Sequence, residues 1–194
     1  MKTRFAHVNI VAGDWRRLAR FYEDVFGCVP VPPERRLAGD WLSKATGVPH
    51  AALEGVHLRL PGHGGGGPTL EVFQYAEELD RLPAAANRQG LGHVAFEVDD
   101  VAAAEAGVRA AGGGALGEVV SRTIPGAGVI TFAYVTDPEG NIIELQQWRK
   151  EPSPGAERAF PAASVHGAWS DRVTCGIIRR LRTLRPARRD RIEV

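Results

Sequence analysis

Apolar and polar residues alternate most clearly in four short stretches of the chain. Residues 5–11 (FAHVNIV) and 91–98 (LGHVAFEV) each alternate as a strand does, with a histidine early in the run. Residues 70–75 (LEVFQY) and 143–148 (IELQQW) share a second pattern: apolar, Glu, apolar, variable, Gln, aromatic. The period changes to helical after each histidine strand. Asp14 is a good N-cap for a helix presenting Trp15, Leu18, Phe21, Tyr22 and Val25 on one side and stopping at Gly27. Asp99 or Asp100 opens a second, with Val101, Ala104, Val108 and Ala111 inward and a stop at Gly112. Strand with His, helix, further strands, strand with Glu is therefore stated twice, the sequence mark of an internal repeat.

Each half has room for two more strands between its helix and its glutamate strand. Residues 55–60 (GVHLRL) alternate and end at Pro61-Gly62, and Val129–Val135 runs into the turn Asp137-Pro138-Glu139-Gly140. The prediction is an α+β fold of two βαβββ modules, 5–75 and 91–148, paired around a cleft, with residues 76–90 as linker. Residues 29–49, rich in proline, read as a long loop that could form part of a lid. The glycine run 62–67 lacks the Gly-Lys-Ser/Thr end of a phosphate loop and precedes a strand, so it reads as a hairpin connection. His50, His63 and His166 fall in loops, with no catalytic role expected.

Strand parity then selects side chains. A strand that packs its apolar face on a helix turns the alternate residues to its other face. That places His7 and Asn9, His57 and Arg59, Glu71, Phe73 and Tyr75, His93, and Glu144, Gln146 and Trp148 away from the helices. If the modules close by pseudo-twofold symmetry, His7, Glu71, His93 and Glu144 converge. Two neutral imidazoles and two carboxylates suit one divalent ion such as Ni, Co, Fe, Mn or Zn. Without a cation, two carboxylates in one concave site would repel. Arg59 could fork onto an acidic substrate group, His57 could serve as base or hydrogen-bond partner, and Phe73, Tyr75 and Trp148 could wall a ring or acyl chain or pack between modules. Asn9 and Gln146 complete the polar lining expected to contact substrate.

Composition bounds the rest. The 194 residues carry a formal charge of +1, which cancels −5 over residues 1–148 against +6 over residues 149–194. The Arg-rich end is expected to be an appendage, with a short helix opening at Ser170, that folds onto the acidic body or a partner subunit. Neither nucleic acid nor a membrane is an expected partner: the total charge is near neutral, and the longest apolar runs are far shorter than a bilayer span. Two distant cysteines, Cys28 and Cys175, show no metal-binding spacing or disulfide framework, which fits a reducing, cytoplasmic compartment.

With His7, Glu71, His93 and Glu144 in that order inside paired βαβββ modules, and with DPEGNIIEL over Asp137–Leu145, the sequence resembles the vicinal oxygen chelate superfamily over residues 5–148. The set of four is most similar to that of glyoxalase I, a metal-dependent lyase. The resemblance implies a homodimer, with a site that in some members is shared between chains. It also implies two adjacent open positions on an octahedral ion, where a small substrate chelates through neighbouring oxygens. Either Glu144 or Glu71 then moves the proton through an enolate-type intermediate. The same superfamily offers two alternatives. An extradiol dioxygenase would use His7, His93 and Glu144 on iron(II) with Glu71 off the metal, and a metal-free binding or resistance protein would need none of the four. An epimerase of the superfamily is disfavoured, because the 55–60 strand carries no carboxylate.

Overall fold

The computed structural model describes residues 1–150. The Arg-rich segment from residue 151 onward, including the helix expected at Ser170, lies outside the described residues. The first half runs β1 (His7–Val11), α1 (Trp15–Phe26), β2 (Val29–Ala38), α2 (Asp40–Thr46), β3 (Ala52–Arg59) and β4 (Thr69–Tyr75). The second runs β5 (Val94–Glu97), α3 (Val101–Ala110), β6 (Gly114–Ala115), β7 (Val120–Ile124), β8 (Gly128–Thr136) and β9 (Ile142–Arg149). The first sheet has the order β1-β4-β3-β2 and the second β5-β9-β8-β6, with β7 also paired to β8. In both, the strand before the helix lies parallel to the last strand of its module, β1 on β4 and β5 on β9. This is the α+β architecture that the repeat predicts.

The caps account for the helix limits. Asp14 accepts a hydrogen bond from the Arg17 amide at 3.0 Å, and Gly27 closes α1 in the left-handed conformation at φ 66°. Asp100 caps α3 through the Ala103 amide. The main core is one cluster, and a smaller one lies beside α2. Val56, Leu58, Leu70 and Val72 from the first sheet and Ala133, Val135, Ile143 and Leu145 from the second meet Leu18, Tyr22, Val101 and Val108 of the helices. Phe26 of α1 stacks on Phe96 of β5, ring centroids 4.1 Å apart. Both sheets thus turn their helix-facing sides to one shared core, so their other faces point away from it.

Residues 29–49 depart from the expectation of a long loop. Val29–Ala38 is an edge strand paired antiparallel with β3, and Asp40–Thr46 is a helix. An edge strand tolerates Pro30, Pro32 and Pro33 because only one side of it needs ladder donors, and a register shift between Val31 and Arg35 absorbs the proline pair. α2 is held by Leu42, which is buried with Ala51 and Leu53 against Leu37, Phe73 and Tyr75. The two aromatics therefore pack on this small cluster, on the side of the first sheet away from the main core. The histidine strand of the second module is also shorter than its pattern, with His93 just ahead of β5.

Candidate active site

Glu71 is the centre of the first outer face. It is nearly buried, and its two oxygens are held by three side chains. Oε2 lies 3.4 Å from His7 Nε2 and 3.3 Å from the Asn9 amide nitrogen, and Oε1 lies 3.0 Å from His57 Nε2. Register brings them together: Asn9 on β1 and His57 on β3 both sit directly opposite Glu71 on β4. The far nitrogen of His57, Nδ1, is 3.2 Å from the Thr69 hydroxyl. Burial pushes the His57 pKa down, against the upward pull of Glu71. A neutral ring that accepts from Thr69 at Nδ1 has its proton on Nε2, where it donates to Glu71. Phe73 closes this cluster edge-on to His57, with centroids 5.7 Å apart.

The second outer face carries a simpler pair. His93 Nε2 lies 2.9 Å from Glu144 Oε2. Opposite Glu144 in the β8–β9 register stands Tyr134, whose ring lies 5.0 Å from that of His93. Burial, then the neighbouring Glu144 charge, raises the Tyr134 pKa. Gln146 accepts from the Trp148 indole at 3.1 Å on the same strand. On the first sheet Arg59 sits opposite Thr69, one row beyond His57. His50 and His63 fall in connections, as expected.

Of the four residues expected to bind one cation, the structure therefore joins His7 to Glu71 and His93 to Glu144. Among the described residues no group of three or more His, Cys, Asp or Glu is arranged to hold a metal ion. Between the modules, Asn9 and His93 line one cavity of about 240 Å³ with Arg81 and Arg88. The donor chemistry of each pair suits a cation. Adjacent ligands on an octahedral ion with bonds of about 2.1 Å lie about 3.0 Å apart, and the two pairs stand at 3.4 and 2.9 Å.

Thr69 shares the parity of Glu71 but stands one residue ahead of the alternating run 70–75, and Tyr134 is a site neighbour that sequence parity does not reveal. Val129–Val135 is almost wholly apolar, so its two faces look alike until β9 fixes the register. The register then shows that Asn9–Glu71–His57 in the first module and Ala95–Glu144–Tyr134 in the second are corresponding rows.

Two helix-backed sheets of one topology, each presenting a histidine–glutamate pair on its outer face, define the class: a paired-module α+β protein built by internal repetition. The chain belongs to the glyoxalase/bleomycin resistance protein/dioxygenase superfamily, whose family profile matches residues 4–145. Among solved structures, a glyoxalase family protein from Bacillus cereus superposes with a TM-score of 0.59 at 19% identity, over 76% of this chain and 94% of that one. A glyoxalase I variant from Zea mays is 24% identical, with a TM-score of 0.49, over 76% of this chain but 45% of its own. No curated protein matches by sequence.

Proposed function

We propose that this protein is a divalent-metal-dependent lyase or isomerase of the glyoxalase I-like type, acting on a small substrate with neighbouring oxygens. The observation that carries this reading is the pair of histidine–glutamate contacts at corresponding places in the two modules, each with the donor spacing of adjacent ligands. His7, Glu71, His93 and Glu144 would hold one ion of Ni, Co, Fe, Mn or Zn. When bound, such an ion supplies Lewis-acid polarisation of the two substrate oxygens.

The side chains divide the remaining work unequally. Glu71 is fixed by His7, Asn9 and His57, whereas among the described residues Glu144 has one close partner, His93. The less restrained carboxylate is the one free to swing towards a carbon acid, so Glu144 takes and returns the proton and Glu71 stays in place. His57, whose pKa burial lowers, holds Glu71 by its second oxygen. Arg59 lies along the same face, where a carboxylate or phosphate of the substrate would find it, and Gln146 and Trp148 line the second face.

Because both pairs lie on faces turned away from the shared core, the complete set is assembled in a homodimer, the first face of one subunit against the second face of its partner. Metal analysis of the purified protein tests the whole reading. One divalent ion per chain, lost in His7→Ala and in His93→Ala, is the expected result. A protein without stoichiometric metal would instead be a small-molecule binding or resistance protein.

One observation favours a second reading. Oε1 of Glu71 is engaged by His57, and a Glu71 drawn off the ion by that contact leaves His7, His93 and Glu144, the two-histidine, one-carboxylate set of an iron(II) dioxygenase. Oxygen consumption by the iron-loaded protein with catechols would select that reading, and its absence would remove it.

A further inference from the structure

The outer face of the first sheet is graded in polarity along its strands. The register of β1, β4 and β3 sets side chains in rows: His7, Thr69 and Arg59, then Asn9, Glu71 and His57, then Val11, Phe73 and Gly55, with Tyr75 beside Leu53 last. The first two rows are polar or charged, the last two apolar. Gly55 keeps the third row thin. A Cβ there would lie 2.4 Å from Phe73 Cδ1, so the ring occupies the space that a side chain would need.

Past Phe73 the same face opens into a cavity of about 650 Å³, walled by Val11, Val48, Pro49, Tyr75 and Leu79. Its volume lies within the range of about 300–1,000 Å³ usual for small-molecule sites. Its walls are unequal in support. Tyr75 is anchored in the α2 cluster, but Val11 is 52% and Leu79 97% exposed. Glu77 and Glu78 also line it, which makes it a poor place for an anionic group. At about 3.3 Å per residue, the apolar rows begin about 7 Å beyond Glu71 and reach Tyr75 at about 13 Å.

We infer that this cavity seats an uncharged apolar tail of the substrate, which makes the substrate class an amphipathic one. The neighbouring oxygens lie at one end, over His7 and Glu71, and an acyl or aryl group runs across Phe73 to Tyr75 and Val48. The inference rests on the chelating reading of the site for the position of the head group. The tail's occupancy of this cavity follows from the continuity of one sheet face from Glu71 to Tyr75.

The test uses n-alkyl hydroxamates, from acetohydroxamate to decanohydroxamate, titrated calorimetrically into the zinc-loaded full chain. Each presents two neighbouring oxygens with a tail of chosen length. The Kd is expected to fall by about fourfold per methylene until the cavity is filled, then to level off. Val48→Glu and Leu79→Glu, both at solvent-facing positions, are expected to flatten the series while leaving the acetohydroxamate Kd unchanged. Tight binding of acetohydroxamate with no dependence on length overturns the inference and spares the metal reading. If the chain takes up no zinc, the metal reading falls, and the metal-free chain is titrated with the neutral fluorophore N-phenyl-1-naphthylamine. One-to-one binding abolished by Val48→Glu then upholds the apolar seat, and no binding overturns it. Should either variant convert a dimer to a monomer in sedimentation and leave the length dependence intact, the surface is a subunit contact and the inference is wrong.

Discussion

Removing the Tyr22 hydroxyl tests how the strand bearing Glu144 is held. Tyr22, fully buried in α1, donates to Asp137 Oδ2 at 3.0 Å across the junction between modules, and Asp137 is itself 2% exposed. The same carboxylate accepts from the Glu139 and Asn141 amides and the Asn141 side chain, so it shapes the turn that leads into β9 two residues ahead of Glu144. Tyr22→Phe removes one hydrogen bond to a charged acceptor and little volume, which costs about 1.5–3 kcal/mol. For a domain of this size that is a fall in Tm of roughly 3–12 °C. Asp137→Ala strands a buried hydroxyl and the turn donors together and costs more, about 1–3 kcal/mol for each donor left buried and unpaired. In the double variant no hydroxyl is left to be stranded, so the combined loss is smaller than the sum of the two single losses. Urea unfolding followed by tryptophan fluorescence measures all three. A Tyr22→Phe protein within 0.5 kcal/mol of the parent, or strict additivity in the double variant, would refute the reasoning. The pH dependence gives a second check. Burial holds the Asp137 carboxyl above its ordinary pKa despite its donors. Its contribution to stability is therefore full below the unfolded pKa of about 4 and is lost as pH rises through the folded value. The stability difference between parent and Asp137→Asn should shrink as pH climbs over that window, and a difference that grows would contradict the assignment.

Three further outcomes are expected. Gly55→Ala places a Cβ 2.1 Å from the Val72 carbonyl and 2.4 Å from Phe73, so the β3–β4 pairing must shift, with a loss of about 1–3 kcal/mol or more in chemical denaturation. Mixing His7→Ala chains with His93→Ala chains should restore one metal site per mixed dimer if the site is shared between subunits, because one of its two sites keeps all four ligands; metal content by mass spectrometry that stays at zero after subunit exchange would place the site within one chain. His57→Ala frees Oε1 of Glu71 and should weaken metal retention against a chelator, while His57→Gln, able to donate a hydrogen bond at a similar reach, should recover much of it; equal loss in both would remove the positioning role.

The legible parts of this fold are those with a clean period. Alternation fixed the faces of β1, β4 and β9 because each sets a polar residue between two aliphatic ones at its centre, Val8–Asn9–Ile10, Leu70–Glu71–Val72 and Ile143–Glu144–Leu145, and the expected partition of His7, Asn9, Glu71, His57 and Glu144 away from the core is what the structure has. Residues 29–49 were opaque for the opposite reason. Their prolines forbid a central strand, so the composition reads as loop, whereas an edge position with a register shift accommodates them. α2 is only 7 residues long and is held by one buried leucine, too little for a periodic signal. Tyr134 was hidden because β8 is apolar on both faces, and only pairing to β9 separates them.

The repeat explains why two histidine–glutamate pairs exist, and its departures explain why they are not interchangeable. Corresponding rows hold Asn9 and His57 beside Glu71 but Ala95 and Tyr134 beside Glu144. An amide and an imidazole both bond a carboxylate; an alanine cannot, and Tyr134 meets the His93 ring rather than taking the second oxygen of its glutamate. One copy of the repeat has thus become a clamped carboxylate and the other a loosely held one. A metal-assisted proton transfer needs that division, a group that keeps its place and a group that moves. Exchanging the neighbours puts the assignment at risk in a useful way. Tyr134→His should add a donor opposite Glu144, restrain it, and lower turnover more than metal affinity, whereas the same substitution would leave turnover untouched if Glu71 were the mobile base.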